Sequence, residues 1–272
     1  MQLWKFTTSL AYILFSHLLT CFVVVNVNDR MPDRKLYPPL PDVLLDNLTY
    51  IPWGASVAEI CLVTLGIMWL FLCFFHKHRF IVMTRMFALM GTMYLLRCVT
   101  IFVTSIPCPN VNKECDIYPN ATVWNRMYRA LLIFSRMGIA IMGNRTCGDY
   151  VFSGHTIMMT MCNLFINEYT PRTMKVLHMI SWSLNVLGMY FILASRGHYS
   201  IDVIIAFVIS LQLFNNYHTI ADNRITSVRE RRCWFLCFPL LHFFESDIEG
   251  PIQYEYSTPL SFREKKIPDF TA

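Results

Sequence analysis

The feature that most constrains the fold of this chain is the recurrence of long apolar runs. Six runs of about 18 to 25 residues carry few charges, and a helix needs about 20 such residues to span a bilayer. They lie at 8–27, 55–75, 80–106, 151–170, 176–195 and 201–221. Only 15% of the 272 residues are charged, against roughly 25% in a soluble domain. The sequence therefore predicts an all-α, polytopic membrane protein with six transmembrane helices.

The first run could instead be a signal peptide, because Lys5 precedes it. The run is long, however, and no small-x-small cleavage site follows it. We expect an uncleaved first span.

Basic residues beside the runs predict the orientation of the chain, because Lys and Arg favour the cytoplasmic side of short loops. The loop 76–79 is basic, and the segment 223–272 after the last run contains seven Lys and Arg residues. We expect both on the cytoplasmic side, and an even number of spans then places both termini there. The predicted domains are a six-span catalytic domain, 1–222, and a cytoplasmic C-terminal tail, 223–272. The net charge of +5 does not indicate nucleic-acid binding, because the basic residues border the apolar runs.

Three Asn-x-Thr sequons, at Asn47, Asn120 and Asn144, all fall in loops that this topology places on the lumenal side. Glycosylation occurs on that side. The agreement supports the orientation, although sequons also arise by chance.

Two segments, 147–156 and 196–203, place titratable side chains where a lumenal loop meets an apolar run. His198 and Asp202 are four residues apart, so on a helix they share one face. A carboxylate on one imidazole nitrogen fixes the tautomer and leaves the other nitrogen free to attack. His155 would then serve as general acid or base. Such a set can move a phosphoryl-containing group, and we expect no metal and no cofactor. The alternative is that His198 and Asp202 merely cap a helix.

Other charged residues near this level are candidates for supporting or substrate-binding roles. Asp149 either caps the fourth helix or orients a histidine. Glu59 lies inside the second run, where an ionisable residue indicates function; the alternative is that it reaches the interface and is solvated. Arg97 lies within the third run and can grip a phosphate, whereas Arg85 can simply follow the positive-inside bias.

The predicted lumenal loop 107–150 is basic, and its cysteines include Cys108 and Cys115. Its arginines either face an anionic head group, or they have no special role, because long loops are translocated across the membrane regardless of their charge. They are Arg126, Arg129, Arg136 and Arg145. A Cys108–Cys115 disulfide is compatible with an oxidising compartment.

These motifs resemble the sphingomyelin synthase family along nearly the whole chain. The regions that carry the resemblance are 39–42 (Pro-Leu-Pro-Asp), 85–100 with Tyr94 and Arg97, 147–156 and 198–203. Thr84 departs from the family pattern, which usually has paired arginines there. The resemblance implies six spans around a lipid phosphate phosphatase-like core, with His155, His198 and Asp202 as the catalytic set.

The resemblance also implies a reaction and its partners. A phosphocholine or phosphoethanolamine head group would pass from phosphatidylcholine or phosphatidylethanolamine to the primary hydroxyl of ceramide, leaving diacylglycerol. The expected location is the membrane of the Golgi or endoplasmic reticulum, or the plasma membrane, with the site on the lumenal or exoplasmic face. A homo-oligomer is compatible with the sequence.

The segments 37–42, 168–172 and 198–202 resemble most the branch that makes ceramide phosphoethanolamine in the endoplasmic reticulum. Members of that branch usually carry an N-terminal SAM domain, which we do not expect here, because the first run follows Lys5 at once. The sequence leaves the choice of head group open.

Three alternatives remain at this stage. A lipid phosphatase or phospholipase C-type hydrolase would use the same two histidines and aspartate, with water in place of ceramide. A transporter is disfavoured, because the sequence has no inverted repeat. A catalytically silent ceramide sensor would have no need of the histidine pair.

Overall fold

The computed structural model describes residues 2–32, 36–110, 115, 118, 121–136, 147, 149–221, 241–245, 252 and 255–256, and over these residues the chain is built from helices. In chain order they are α1 (Gln2–Asp29), α2 (Val43–Asn47), α3 (Gly54–Phe75), α4 (Arg79–Val103), α5 (Val123–Ser135), α6 (Gly154–Tyr169), α7 (Lys175–Ala194), α8 (Ser200–Ala221) and α9 (Leu241–Glu245).

Each of the six apolar runs forms a helix, and five of these, α1, α3, α4, α7 and α8, are long and apolar enough to cross a membrane. The prediction of an all-α, polytopic membrane protein is confirmed. The exception to the predicted spans is α6, whose 16 residues extend about 24 Å at 1.5 Å per residue. It begins only at Gly154 because the hydroxyl of Ser153 accepts the backbone N–H of Thr156 and caps the helix.

Helix α6 lies at the centre of the molecule, where α3, α4, α7 and α8 pack around it. Its Ile157, Met159, Met161 and Phe165 are fully buried. Its apolar residues therefore contact other helices rather than lipid, which accounts for a helix shorter than a full span.

Helix α1 lies outside this centre and packs along α4 and α5. The approach to α4 is close at Gly91, where an added Cβ would lie 2.5 Å from the ring of Tyr12. Small residues at such positions let the backbones of membrane helices pack together.

The C-terminal segment returns to the end of the bundle opposite Ser153. Glu245 of α9 accepts Nε and Nη2 of Arg85 at 2.9 and 2.7 Å, and Tyr217 donates to the same carboxylate at 2.8 Å. Tyr256 donates to the carbonyl oxygen of Tyr169 at 2.6 Å. Arg85 is only 1% exposed, so it has a structural role at this end of the bundle beyond the positive-inside bias.

Of the three sequons, Asn47 lies exposed at the end of α2. Asn120 and Asn144 fall outside the described residues, as does Arg145.

Candidate active site

His198 and Asp202 come together where the chain enters α8. His198 lies in the turn before the helix and Asp202 in its first turn, and Nδ1 of His198 is 3.4 Å from Oδ2 of Asp202. The aspartate is fully buried and the histidine is 8% exposed. A carboxylate beside Nδ1 favours the tautomer with the proton on Nδ1, which leaves the lone pair of Nε2 free.

The Asp202 carboxylate also has two backbone donors. Oδ2 accepts the N–H of Tyr199 at 3.0 Å, and Oδ1 accepts the N–H of Val151 at 2.9 Å. In the first of these bonds, a side chain in the first turn of α8 accepts the backbone N–H of the residue just before the helix, as in a capping box. The aspartate therefore both caps α8 and holds His198, so the two interpretations of this pair are compatible.

Val151 is one of two non-glycine residues with positive φ in the described part of the chain, at 93°. This conformation is unfavourable for a β-branched residue, and strain of this kind persists only where the surrounding contacts enforce it. Here it accompanies the Val151–Asp202 hydrogen bond, which fixes the loop just before His155.

His155 lies in the first turn of α6, and its Nε2 is 3.9 Å from Oε1 of Glu59 on α3. Glu59 is 2% exposed, so the alternative that it reaches the interface and is solvated is wrong. The His155 side chain is 30% exposed and stays accessible to a substrate. Both histidines are thus placed beside a buried carboxylate.

Arg97 is held by the loop that leads into α6. Its Nε donates to the carbonyl oxygen of Phe152 at 2.9 Å, and its Nη2 forms an ion pair with Asp149. An added Cβ at Gly154 would lie 2.6 Å from Nη1 of Arg97, so a glycine is needed for this approach. Ser153, and not Asp149, caps α6.

The ring contact of Tyr94 is with α1. Its ring lies 5.0 Å from the ring of His17. The contacts of Tyr94 in the described part of the chain therefore do not join it to His155 or His198.

Asp42 is a residue of the site region to which sequence reasoning gave no role. Its Oδ1 accepts the N–H groups of Leu44 and Leu45 and caps α2, while Oδ2 accepts the N–H of Ser200 at 2.7 Å. The hydroxyl of Ser200 also donates to Asp42. The signal was present in the sequence, since an aspartate before an apolar segment indicates a helix N-terminus.

The pKa of the Asp42 carboxyl reflects these bonds. Burial raises this pKa, but the hydrogen bonds from Ser200, Leu45 and Leu44 outweigh burial and hold it below its usual value of 3.8.

Tyr199 adds a second link between the turn before α8 and the segment that contains Asp42. Its hydroxyl accepts the N–H of Leu40 at 3.1 Å and donates to the carbonyl of Pro107 at 2.9 Å.

The disulfide expectation was wrong in its pairing. Cys115 is bonded to Cys147, whereas Cys108 is a buried free thiol. The three sulfur atoms lie within 4.8 Å of one another. The backbone N–H of Cys147 donates to Asn28 at 2.7 Å, so a contact with α1 helps to bring Cys147 to Cys115.

Comparison with known proteins agrees with this arrangement. A family model described as PAP2 superfamily C-terminal matches residues 146–219. This range contains both histidine segments and all of α6 and α7.

Curated relatives extend the similarity over nearly the whole chain. It is 44% identical to Homo sapiens sphingomyelin synthase-related protein 1 over 261 residues, which are 96% of this chain and 62% of that protein. It is 45% identical to Caenorhabditis elegans sphingomyelin synthase-related 1 over 262 residues, 95% of this chain and 54% of that one. The chain thus spans about half to three fifths of the length of these relatives.

A third relative is covered more fully. The chain is 37% identical to Rattus norvegicus phosphatidylcholine:ceramide cholinephosphotransferase 2 over 268 residues, which are 96% of this chain and 73% of that protein. With this degree of identity and coverage, and as its motifs predict, the chain belongs to the sphingomyelin synthase family.

Proposed function

We propose that this chain transfers a phosphocholine or phosphoethanolamine head group from a glycerophospholipid to the primary hydroxyl of ceramide and releases diacylglycerol. The observation that carries this proposal is the 2.9 Å bond between Val151 and Asp202. It ties the loop before His155 to the turn that carries His198, each histidine beside its own buried carboxylate. The similarity to the rat relative, a phosphatidylcholine:ceramide cholinephosphotransferase, supports the same reaction.

In the first step, Nε2 of His198 attacks the phosphorus of the donor lipid. The bond between phosphorus and the diacylglycerol oxygen breaks, and His155 gives that oxygen a proton. The Glu59 carboxylate, 3.9 Å from Nε2 of His155, orients the imidazole for this proton transfer. Asp202 stabilises the positive charge that develops on His198 as the phosphohistidine forms.

In the second step, the primary hydroxyl of ceramide attacks the phosphohistidine. His155, now neutral, takes the hydroxyl proton as general base. The nitrogen–phosphorus bond breaks, and His198 returns to its starting state. The head group thus reaches ceramide in two displacements, which together retain the configuration at phosphorus.

Arg97 and Asp149 belong to the supporting part of this proposal. They hold the loop that positions His155, and the guanidinium adds positive potential beside the transferred phosphate. Tyr94 would act from the α1 side of α4, as a lining residue for lipid rather than a partner of the histidines.

The proposed topology places the site on the lumenal or exoplasmic face and both termini in the cytoplasm. Residues 1–222 form the catalytic domain and 223–272 the C-terminal tail. The membrane would be that of the Golgi or endoplasmic reticulum, or the plasma membrane. Phosphatidylethanolamine as a second donor and a homo-oligomer belong to the same proposal.

The deciding experiment is a lipid product assay. The chain is expressed in cells that lack sphingomyelin synthase, the cells receive fluorescent ceramide, and the products are separated, with His198→Ala as the matched control. We expect a new phosphocholine or phosphoethanolamine sphingolipid that is absent with the variant, and its mobility identifies the head group.

Two other outcomes would reject the transferase. Diacylglycerol released without a new sphingolipid would indicate a hydrolase, in which water takes the place of ceramide. The absence of any turnover, with wild-type expression and folding, would indicate a ceramide sensor.

A further inference from the structure

Helix α5 packs along the half of α1 that is nearest the active site. Arg126 donates to Asn26 at 3.2 Å, and Arg129 donates to Asp29 at 2.8 Å. At the other end of α5, the ring of Phe134 lies 5.2 Å from that of His17. From His17 to Asp29, α1 extends about 18 Å. Because α1 is long and apolar enough to cross a membrane, α5 lies within the same leaflet.

The two faces of α5 support this placement. The inner face buries Ala130 and Ile133 against Cys21 and Val25 of α1. The outer face carries a continuous exposed stripe that is apolar and aromatic. It consists of Val123, Trp124, Met127, Tyr128 and Leu131, which are 37–84% exposed. A stripe of this composition is typical of a helix at the membrane interface, where Trp and Tyr are enriched.

A cleft opens between α1, the end of α4 and α5, with a volume of about 370 Å³. This volume lies within the range of ligand sites, roughly 300–1,000 Å³. One part of the wall is apolar and formed by Phe22, Val23, Val27 and Phe102, whereas the rim is polar and formed by Asn26, Asp29, Arg30 and Arg126. Along α1, Phe22 and Val23 precede the polar Asn26, Asp29 and Arg30, an order that matches a lipid from acyl chain to head group.

Arg30 is the exposed cation of this rim. Its guanidinium donates to the hydroxyl of Ser105 at 3.0 Å and to the carbonyl of Phe102, and both acceptors are neutral. Its charge is thus held in a fixed position without being neutralised by these two contacts. A guanidinium fixed in this way is suited to a phosphate oxygen.

We propose that the α1–α5 cleft binds a phospholipid of the leaflet nearest the active site, with its phosphate at Arg30 and an acyl chain along Phe22, Val23 and Phe102. The residues that line the cleft include none of the residues of the histidine site, so the two sites are distinct. The ligand class is a phosphodiester lipid, and diacylglycerol, which lacks the phosphate, would bind more weakly.

Photo-crosslinking tests this proposal on the full chain carrying His198→Ala, so that the probe is not consumed. The protein is placed in phosphatidylcholine vesicles with either a diazirine-bearing phosphatidylcholine or a diazirine-bearing diacylglycerol, and the labelled peptides are quantified by mass spectrometry. We expect the phospholipid probe to label 22–30 and 123–131 more strongly than the diacylglycerol probe. Arg30→Gln should lower that labelling about 10-fold, the loss expected when a charge-assisted hydrogen bond is removed.

Three controls make the result decisive. Arg172→Gln, an exposed arginine in the loop between α6 and α7, should leave the labelling unchanged. Arg30→Lys keeps the charge and should retain most of it, which separates a binding effect from misfolding. Soluble glycerophosphocholine should not compete, because it has no acyl chain.

The opposite results would overturn the proposal. Equal labelling by the two probes, or labelling that is insensitive to Arg30→Gln, would mean ordinary contact with bilayer lipid. Displacement by glycerophosphocholine would mean that the cleft takes a free head group rather than a lipid.

Discussion

The carboxylate of Asp202 accepts the backbone N–H of Val151 at 2.9 Å, across 51 positions of sequence. Because the same carboxylate is 3.4 Å from His198, one side chain holds both segments of the candidate active site. The left-handed conformation of Val151 accompanies this bond. The loop before His155 is therefore arranged around Asp202, and several predictions depend on this centre.

Asp202→Asn should abolish most of the activity while the protein still folds. The amide keeps the size of the side chain but loses the charge that fixes His198 and stabilises its cationic form. We expect kcat to fall at least about 100-fold with little change in KM, since general-base and nucleophile activation contribute effects of this order. Steady-state transfer to fluorescent ceramide measures both constants.

The matched control for this variant is Asp46→Asn, because Asp46 is exposed on α2. It should behave as the wild type. Full activity of Asp202→Asn would remove Asp202 from the mechanism.

Glu59→Gln should separate activity from stability. The amide keeps the size of the side chain and removes a charge that is costly to bury, so the melting temperature should change little. The loss of the carboxylate beside His155 should still lower kcat about 10- to 100-fold, because the imidazole is no longer held in place for proton transfer. Thermal unfolding and turnover of the same preparation test this; a parallel loss of both would indicate a purely structural Glu59.

The fold was predictable where it depends on local patterns. The apolar runs identify the long helices, because burial in lipid needs a continuous apolar length. The beginning of α6 was not predictable from its run, since residues 151–153 are apolar or small but form the loop and cap. The docking of Glu245 on Arg85 could not be foreseen either, because it joins positions 160 apart.

The candidate site shows the same division. The four-residue spacing of His198 and Asp202 predicted their proximity, as a helix places such residues on one face. The partner of Asp149 was not predictable, because Arg97 lies on α4, 52 positions away in the sequence. Asp42 belongs to the family region 39–42, but its role was not predictable for a similar reason: its bond to Ser200 crosses 158 positions.

Asp42 should act as a positioning residue for the turn that contains His198. Asp42→Asn removes the charge that accepts the N–H and hydroxyl of Ser200, and we expect a several-fold drop in kcat with an unchanged KM, since small misplacements of a nucleophile lower the rate. Ser200→Ala keeps the N–H bond and should have a smaller effect. A change in KM alone would contradict a positioning role.

The same residue gives a prediction on pH. The pKa of Asp42 is lower in the folded protein than its usual value of 3.8, so its contribution to stability is present above 3.8 and lost as the pH falls through the folded value. The melting temperature of the wild type should therefore decline more steeply below pH 4 than that of Asp42→Asn. Parallel melting curves for the two proteins in this range would contradict the prediction.

Glu245→Gln should destabilise the fold without affecting the chemistry. It leaves the buried Arg85 without its carboxylate, and breaking such a pair costs about 3–5 kcal/mol. Arg85→Met combined with Glu245→Leu should recover part of the stability. Lys77→Gln is the comparison, because it breaks an exposed pair with Glu255 and should have little effect on the melting temperature. Turnover per folded molecule should stay at the wild-type value in all three, since this end of α6 is opposite His155.

The cysteine cluster gives a prediction that peptide mapping without reduction can test. Wild-type protein should yield the Cys115–Cys147 link and a free Cys108. Cys147→Ser should lose the link, which closes a loop of a length worth about 4 kcal/mol, and activity should fall because Cys147 lies two residues before Asp149. In that variant Cys108 and Cys115 become the adjacent thiols, so a new Cys108–Cys115 link should appear under oxidising conditions. Finding Cys108–Cys115 in the wild type would reverse the assignment, and finding it in neither protein would show that Cys108 cannot reach its neighbour.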